Sequence, residues 1–75
     1  MKRYKNLSGN SGVLLYEAGA DCIHIRFRGS DGVYVYNYHK PGKRHVEAMK
    51  KRAQEGKELS TYISRYVKDN YADVL

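Results

Sequence analysis

Hydrophobic and polar residues alternate in three short runs in the first half of the chain. The runs are Val13–Glu17, Cys22–Arg28 and Val33–Tyr38. Such alternation is typical of β-strands that bury one face, because successive side chains point to opposite faces. Glycine-containing turns of four residues, 18–21 and 29–32, separate the runs. The pattern therefore predicts three antiparallel strands joined as a meander.

The strand register decides which way the tyrosines of the third strand face. If both turns hold an even number of residues, Phe27 lies opposite Tyr34 and Ile25 lies opposite Tyr36. By the same count, Tyr16 lies opposite Ile23. The predicted core face then carries Leu14, Tyr16, Ile23, Ile25, Phe27, Tyr34, Tyr36 and Tyr38. The predicted outer face carries Val13, Leu15, Cys22, His24, Arg26, Arg28, Val33, Val35 and Asn37. A bulge in either hairpin would reverse the parity of a strand.

Helical periodicity follows in the second half of the chain. The first predicted helix is Lys43–Glu55, with a narrow apolar stripe and with Gly56 in the position of a terminating glycine. The second predicted helix is Glu58–Asn70, with a wider stripe. The stripe residues are Val46, Met49 and Ala53 in the first helix and Leu59, Tyr62, Ile63, Tyr66 and Val67 in the second. All of them are expected to pack on the core face of the sheet.

The predicted fold class is α+β: a three-stranded antiparallel meander followed by two α-helices packed on one face. The 75 residues suit one domain, which we place at 13–75. Residues 1–12 are expected to be a flexible N-terminal lead-in, because polar residues and glycine fill the stretch before Val13. The pattern assigns no structure to the tail, Tyr71–Leu75.

Charge is concentrated in one part of the chain. The net charge is +6, and residues 40–57 hold seven basic and only two acidic residues, a net +5. Such clustering favours contact with a polyanion, which would be RNA, DNA or an acidic protein surface. The alternative is a solvated helix face whose charge only keeps a small domain soluble.

Composition predicts the setting of the protein and excludes several classes of site. The single cysteine, Cys22, cannot form an internal disulfide, which is typical of a reducing compartment, and we expect a cytoplasmic protein. No apolar run exceeds four residues, so no membrane association is expected. Neither metal-ligand spacing nor a nucleophile beside an oriented base is evident, and we expect no enzyme, no metal and no cofactor. A monomer or a weak homodimer is expected.

A set of ordered residues resembles the KTSC domain, a family named for the C-terminal extension of some lysyl-tRNA synthetases. The matching positions are Tyr16, Ile23 to Phe27, Gly32, Tyr34 to Tyr36, Gly56 and Ile63, and the resemblance covers about residues 12 to 71. It implies a stand-alone copy of that domain, and RNA binding is the role suggested for the family. The chain departs from the pattern at Gln54, at Leu59 and in a longer loop from Tyr38 to Gly42.

The predicted function is a small basic binding module for RNA, in preference to DNA. Phosphates would be held by basic residues of the first helix and the second strand, and Tyr38 and His39 would touch a base. The basic candidates are Arg26, Arg28, Lys43, Arg44, Lys50, Lys51 and Arg52. Tyr34 and Tyr36 are assigned to the core rather than to a stacking platform. The alternative is an adaptor that docks an acidic protein partner, and an apolar-pocket ligand binder is the third hypothesis.

Overall fold

A computed structural model describes residues 1–75 and contains a five-stranded sheet, two helices and one π-helical segment. The strands are β1 Lys2–Arg3, β2 Val13–Ala18, β3 Cys22–Phe27, β4 Val33–Asn37 and β5 Asp73–Val74. The helices are α1 Lys43–Glu55 and α2 Leu59–Tyr62, and α2 runs directly into the π-helix Ile63–Val67. The strands lie in chain order, and each pairs antiparallel with its neighbours.

The α+β class and the antiparallel sheet are confirmed, but the sheet has five strands rather than three. The two additional strands, β1 and β5, are two residues long and pair with the outer edges of the predicted meander. A two-residue strand is too short to show alternation, so no periodic signal exists for it. Both chain ends therefore belong to the sheet.

The segment 1–12, which the sequence predicts as a flexible lead-in, contributes Tyr4 to the core. The ring of Tyr4 is 4% exposed, and its hydroxyl accepts a hydrogen bond of 3.2 Å from the backbone N–H of Leu59. The backbone N–H of Leu7 donates to the carbonyl of Gly56 at 2.8 Å. The N-terminal segment thus crosses the junction between the two helices and packs there.

The register differs from the prediction by two residues at both hairpins. Ile25 lies opposite Tyr34 rather than Tyr36, and Tyr16 lies opposite Ile25 rather than Ile23. A shift of two residues preserves parity, so side chains keep their faces. The inward orientation of Tyr16, Ile23 and Tyr36 is therefore as predicted, and each is buried.

A β-bulge between Val13 and Leu15 reverses parity at the start of β2. Val13 pairs with Phe27 and is 1% exposed, although the sequence predicts it on the outer face. Leu14, predicted in the core, is only half-buried. The extra residue of a bulge turns the preceding side chain to the other face, which explains both differences.

One cluster of twelve buried side chains forms the core between the inner sheet face and the helices. Its members are Tyr4, Val13, Tyr16, Ile23, Ile25, Tyr36, Val46, Met49, Ala53, Leu59, Ile63 and Val67. The apolar stripe predicted for the first helix is buried in full, which confirms that α1 covers this face of the sheet.

The first helix begins and ends at the predicted residues because of two glycines. Gly42 precedes it with φ of 114°, and Gly56 ends it in the left-handed conformation with φ of 79°. The N–H of Gly56 donates to the carbonyl of Arg52. A side chain at position 56 would place its Cβ 2.5 Å from the Cβ of Lys5. Both the positive φ and this close approach therefore require glycine there.

The second helix is shorter than predicted and changes its hydrogen-bond spacing. It covers 59–67 instead of 58–70, and from Ile63 onward it is π-helical. Wider turns keep residues four apart in line, so Leu59, Ile63 and Val67 face the core. Tyr62 and Tyr66, predicted in the core, are turned outward: Tyr62 is half-buried and Tyr66 is 60% exposed.

Candidate nucleic-acid interface

The basic residues of α1 form three columns along the helix. Successive residues are rotated by about 100°, so residues seven apart lie almost in line. The columns are Lys43 with Lys50, Arg44 with Lys51, and His45 with Arg52. The buried stripe of α1 lies between the first and the third column. The second column consequently points farthest from the core, and both of its residues are exposed.

The first column is held by contacts within the protein. The ammonium of Lys50 lies 3.0 Å from a carboxylate oxygen of Glu47 and donates to the carbonyl of Ala20 at 3.0 Å, and its side chain is 13% exposed. The ammonium groups of Lys43 and Lys50 lie 5.8 and 5.9 Å from the ring centroid of Tyr38. Lys50 is therefore a structural cation, and only Lys43 of this column is exposed.

Tyr38, which the sequence predicts to touch a base, belongs to the same polar cluster. Its hydroxyl donates to Glu47 at 2.8 Å, and the ring is half-buried beneath the two lysines. The hydrogen bond to Glu47 raises the pKa of the Tyr38 hydroxyl. The hydrogen bond from Lys50, and to a smaller extent the one from Tyr38, lower the pKa of the Glu47 carboxyl. His39 is exposed beside this cluster, in the turn after β4.

The structure separates Arg26 and Arg28 from the basic residues of α1. Arg26 alternates with Ile25 along β3, so it lies on the sheet face opposite the helices, beside Leu15 and Val33. Its Nε is buried and has no hydrogen-bond partner. Arg28 is exposed in the turn after β3. Neither arginine extends the basic surface of the helix.

The third column packs on the second helix and forms a groove there. The guanidinium carbon of Arg52 lies 4.3 Å from the ring centroid of Tyr62. His45 Nδ1 lies 2.8 Å from the Tyr62 hydroxyl, and the Tyr62 and Tyr66 rings are 5.0 Å apart at an angle of 47°. We call the cleft lined by Arg44, His45, Arg52, Tyr62 and Tyr66 the helix groove.

The helix groove brings basic and aromatic groups together on one surface. Arg52 is fixed by a hydrogen bond to the carbonyl of Ala48 and by stacking on Tyr62, so its charge is pre-positioned. Arg65 adds a further exposed cation next to Tyr66. Such a surface can hold phosphates at its rim and a planar base on the exposed ring of Tyr66.

One feature of the sequence indicates the helix groove, namely the width of the apolar stripe in the second predicted helix. The stripe 59, 62, 63, 66 and 67 spans about 140° of an α-helix, compared with about 60° for the stripe of α1. Both tyrosines lie at one edge of that wide stripe. An edge occupied only by Tyr62 and Tyr66 favours exposure, because tyrosine tolerates water at its polar end.

Neither a metal cluster nor a membrane-spanning helix was found in the structure. No group of three or more histidine, cysteine, aspartate or glutamate side chains could hold a metal ion. None of the helices has the length and apolar character needed to cross a bilayer.

Comparison with known proteins finds no matching family model, no matching curated protein and no matching solved structure.

Proposed function

We propose that this protein binds single-stranded RNA through α1 and the helix groove. Phosphates contact the outward column, Arg44 and Lys51, together with Lys43, and one base stacks on Tyr66. The observation that carries the proposal is the exposed Tyr66 ring beside the Arg52–Tyr62 stack, in the same cleft as the exposed Arg44 of α1. The resemblance to the KTSC domain points in the same direction.

The basic residues at the start of α1 support this proposal. They lower the stability of the helix, so helix stability does not account for their presence there. The first turn begins Lys43, Arg44 and His45, contains no acidic residue and has no side-chain cap. The N-terminus of a helix carries partial positive charge, so each cation there costs roughly 0.3–1 kcal/mol. The result is a concentrated positive potential around the start of α1, which attracts phosphate.

An exposed aromatic ring favours unpaired bases over a duplex. Base–aromatic stacking is worth roughly 1–3 kcal/mol per base, and a base inside a duplex does not present its face. The preference for RNA over DNA rests on the family resemblance, so a DNA strand of the same sequence belongs in the test.

Fluorescence anisotropy with a labelled, unstructured RNA of mixed sequence tests the proposal. Affinity is expected to fall steeply with salt, by about 0.7 log units per decade for each phosphate contact. The double variant Arg44→Gln/Lys51→Gln should reduce that slope by roughly 1.4. The matched control, Lys2→Gln/Arg28→Gln, removes the same charge from exposed positions elsewhere and should leave the slope unchanged.

Three outcomes would contradict the proposal. They are no binding at micromolar protein in low salt, equal slopes for the two double variants, and a duplex bound as tightly as the single strand. An acidic protein is the alternative partner for the same cations. A partner captured by the wild type after nuclease treatment, and lost in Arg44→Gln/Lys51→Gln, would indicate docking of an acidic protein instead.

A further inference from the structure

A second aromatic cleft lies on the other side of the π-helix, between it and the inner face of the sheet. Its walls are Phe27, Tyr34, Tyr36 and Tyr71, with Ile63 as its floor. We call it the tyrosine cleft, and its volume is about 370 Å³. Ser30, Lys68 and Asp69 lie at its rim. The cleft is separate from the helix groove, since the two share no residue.

The tail of the chain completes the tyrosine cleft. Lys68 ends the π-helix with a positive φ of 53°, which reverses the chain toward the sheet. The N–H of Ala72 then donates to the carbonyl of Val35 at 2.7 Å, and β5 pairs with β4. These contacts hold Tyr71 against the tyrosines of β4, with a centroid distance of 4.9 Å to the Tyr34 ring.

The rings of the cleft stand nearly perpendicular to one another. Phe27 and Tyr34 meet at 75°, Tyr34 and Tyr71 at 82°, and Tyr36 and Tyr71 at 87°. Perpendicular walls offer both a face and an edge to a flat ligand, and both arrangements are favourable for aromatic rings. The shape therefore suits a planar ring rather than an aliphatic chain.

Three phenolic hydroxyls in this cleft have no partner within the protein. The hydroxyls of Tyr4, Tyr38 and Tyr62 do form hydrogen bonds, whereas those of Tyr34, Tyr36 and Tyr71 form none. The hydroxyls of Tyr34 and Tyr71 are not sealed in the core, because both residues are half-buried and the only buried side-chain polar atom without a partner is Nε of Arg26. Burial, then the neighbouring Tyr34 and Tyr71, raise the pKa of Tyr36 to about 12. Like any phenol, the Tyr36 hydroxyl keeps its proton at neutral pH and can donate a hydrogen bond.

The rim of the cleft selects the chemical class of the ligand. Lys68 supplies a cationic donor and Asp69 an anionic acceptor, and both are exposed. A simple anion would meet Asp69, and a simple cation would meet Lys68. Tyrosine hydroxyls donate and accept, so the polar groups suit a ring edge on which donors and acceptors alternate. Nucleobases present such edges, and proteins bind unpaired bases by combining aromatic contact with edge hydrogen bonds.

We propose that the tyrosine cleft binds a nucleobase, with its ring against Tyr34 and Tyr71 and its edge on the tyrosine hydroxyls, Lys68 and Asp69. The base has two possible sources, a free nucleoside or an unpaired nucleotide of bound RNA. The second source rests on the proposed RNA-binding function, and the first does not.

NMR titration tests both sources. Adenosine, guanosine, cytidine and uridine, each added alone at millimolar concentration, test binding of a free nucleoside. An unstructured RNA tests binding of an unpaired nucleotide. At least one ligand should shift the ring resonances of Tyr34 and Tyr71 and the amide of Lys68. The variant Tyr34→Phe/Tyr71→Phe keeps the rings and removes two hydroxyls. Its affinity at this cleft should fall about fivefold for each hydroxyl that bonds the base. Tyr16→Phe is the control, because Tyr16 is buried on β2 and lines neither cleft, and it should bind the nucleoside like the wild type.

The two proposals fail separately. If RNA shifts Tyr66 and α1 while no ligand shifts the tyrosine cleft, the cleft proposal is overturned and the RNA proposal stands. If nucleosides shift the cleft while RNA binds nowhere, the cleft proposal stands with a free nucleoside as ligand. Equal affinity of the wild type and Tyr34→Phe/Tyr71→Phe, with both folded by their amide spectra, would overturn the edge recognition that defines the site.

Discussion

Tyr36 on β4 and Tyr66 in the π-helix both occupy apolar positions of a periodic pattern, but their environments are opposite. Tyr36 is 1% exposed and Tyr66 is 60% exposed. A strand has a single period of two, and a register shift of two residues leaves its faces unchanged. A helical period changes as soon as one turn widens, so the same pattern can bury one residue and expose its neighbour. The Tyr36 ring thus stabilises the fold, whereas most of the Tyr66 ring meets water.

Truncation of the two tyrosines gives the largest expected difference. Tyr36→Ala should lower the free energy of unfolding by roughly 3–5 kcal/mol, because it removes a buried ring and leaves a cavity in a small core. Tyr66→Ala should change that free energy by at most about 0.5 kcal/mol. Urea denaturation followed by circular dichroism measures both. Similar losses in the two variants would show that Tyr66 packs against the core in solution.

Tyr66, which contributes little to stability, should contribute strongly to RNA affinity. Tyr66→Leu keeps an apolar side chain but removes the stacking face, so affinity for single-stranded RNA should fall by roughly 1–3 kcal/mol while stability is retained. Tyr16→Phe is the matched control, because Tyr16 is buried on β2 and away from the groove, and it should bind RNA like the wild type. An unchanged affinity in Tyr66→Leu would remove base stacking from the proposed function.

The features that follow from local chemistry could be predicted from the sequence. The end of α1 at Gly56 is an example, because only glycine combines a positive φ with the close approach of Lys5. Features that depend on tertiary contacts could not. The burial of Tyr4 requires the junction between α1 and α2, and the inward turn of Val13 requires a bulge that no residue type marks. The helix groove depends on a π-helix, whose wider turns have no period visible in nine residues.

A charge reversal in α1 separates stability from binding at the start of the helix. Arg44→Glu places an acid in the first turn, which should raise the free energy of unfolding by about 0.3–1 kcal/mol and weaken RNA binding. Lys51→Glu should weaken RNA binding too, but it should lower stability, because Glu47 and Glu55 lie four residues away on either side. Denaturation and anisotropy on the same samples measure both quantities. A gain in stability for both variants would mean that total charge, rather than the helix dipole, controls α1.

Alkaline pH tests the contribution of a single hydroxyl, that of Tyr36. Burial raises the pKa of Tyr36 from 10.0 to about 12 in the folded protein. Between these values the folded state holds a proton that the unfolded state has released, so the free energy of unfolding falls as pH rises. The stabilisation is complete below pH 10 and is lost as pH approaches 12. Tyr36→Phe should therefore flatten the decline of the urea midpoint over this range. A wild-type decline in Tyr36→Phe would place the alkaline transition in another group and would weaken the distinction between the buried and the exposed tyrosine.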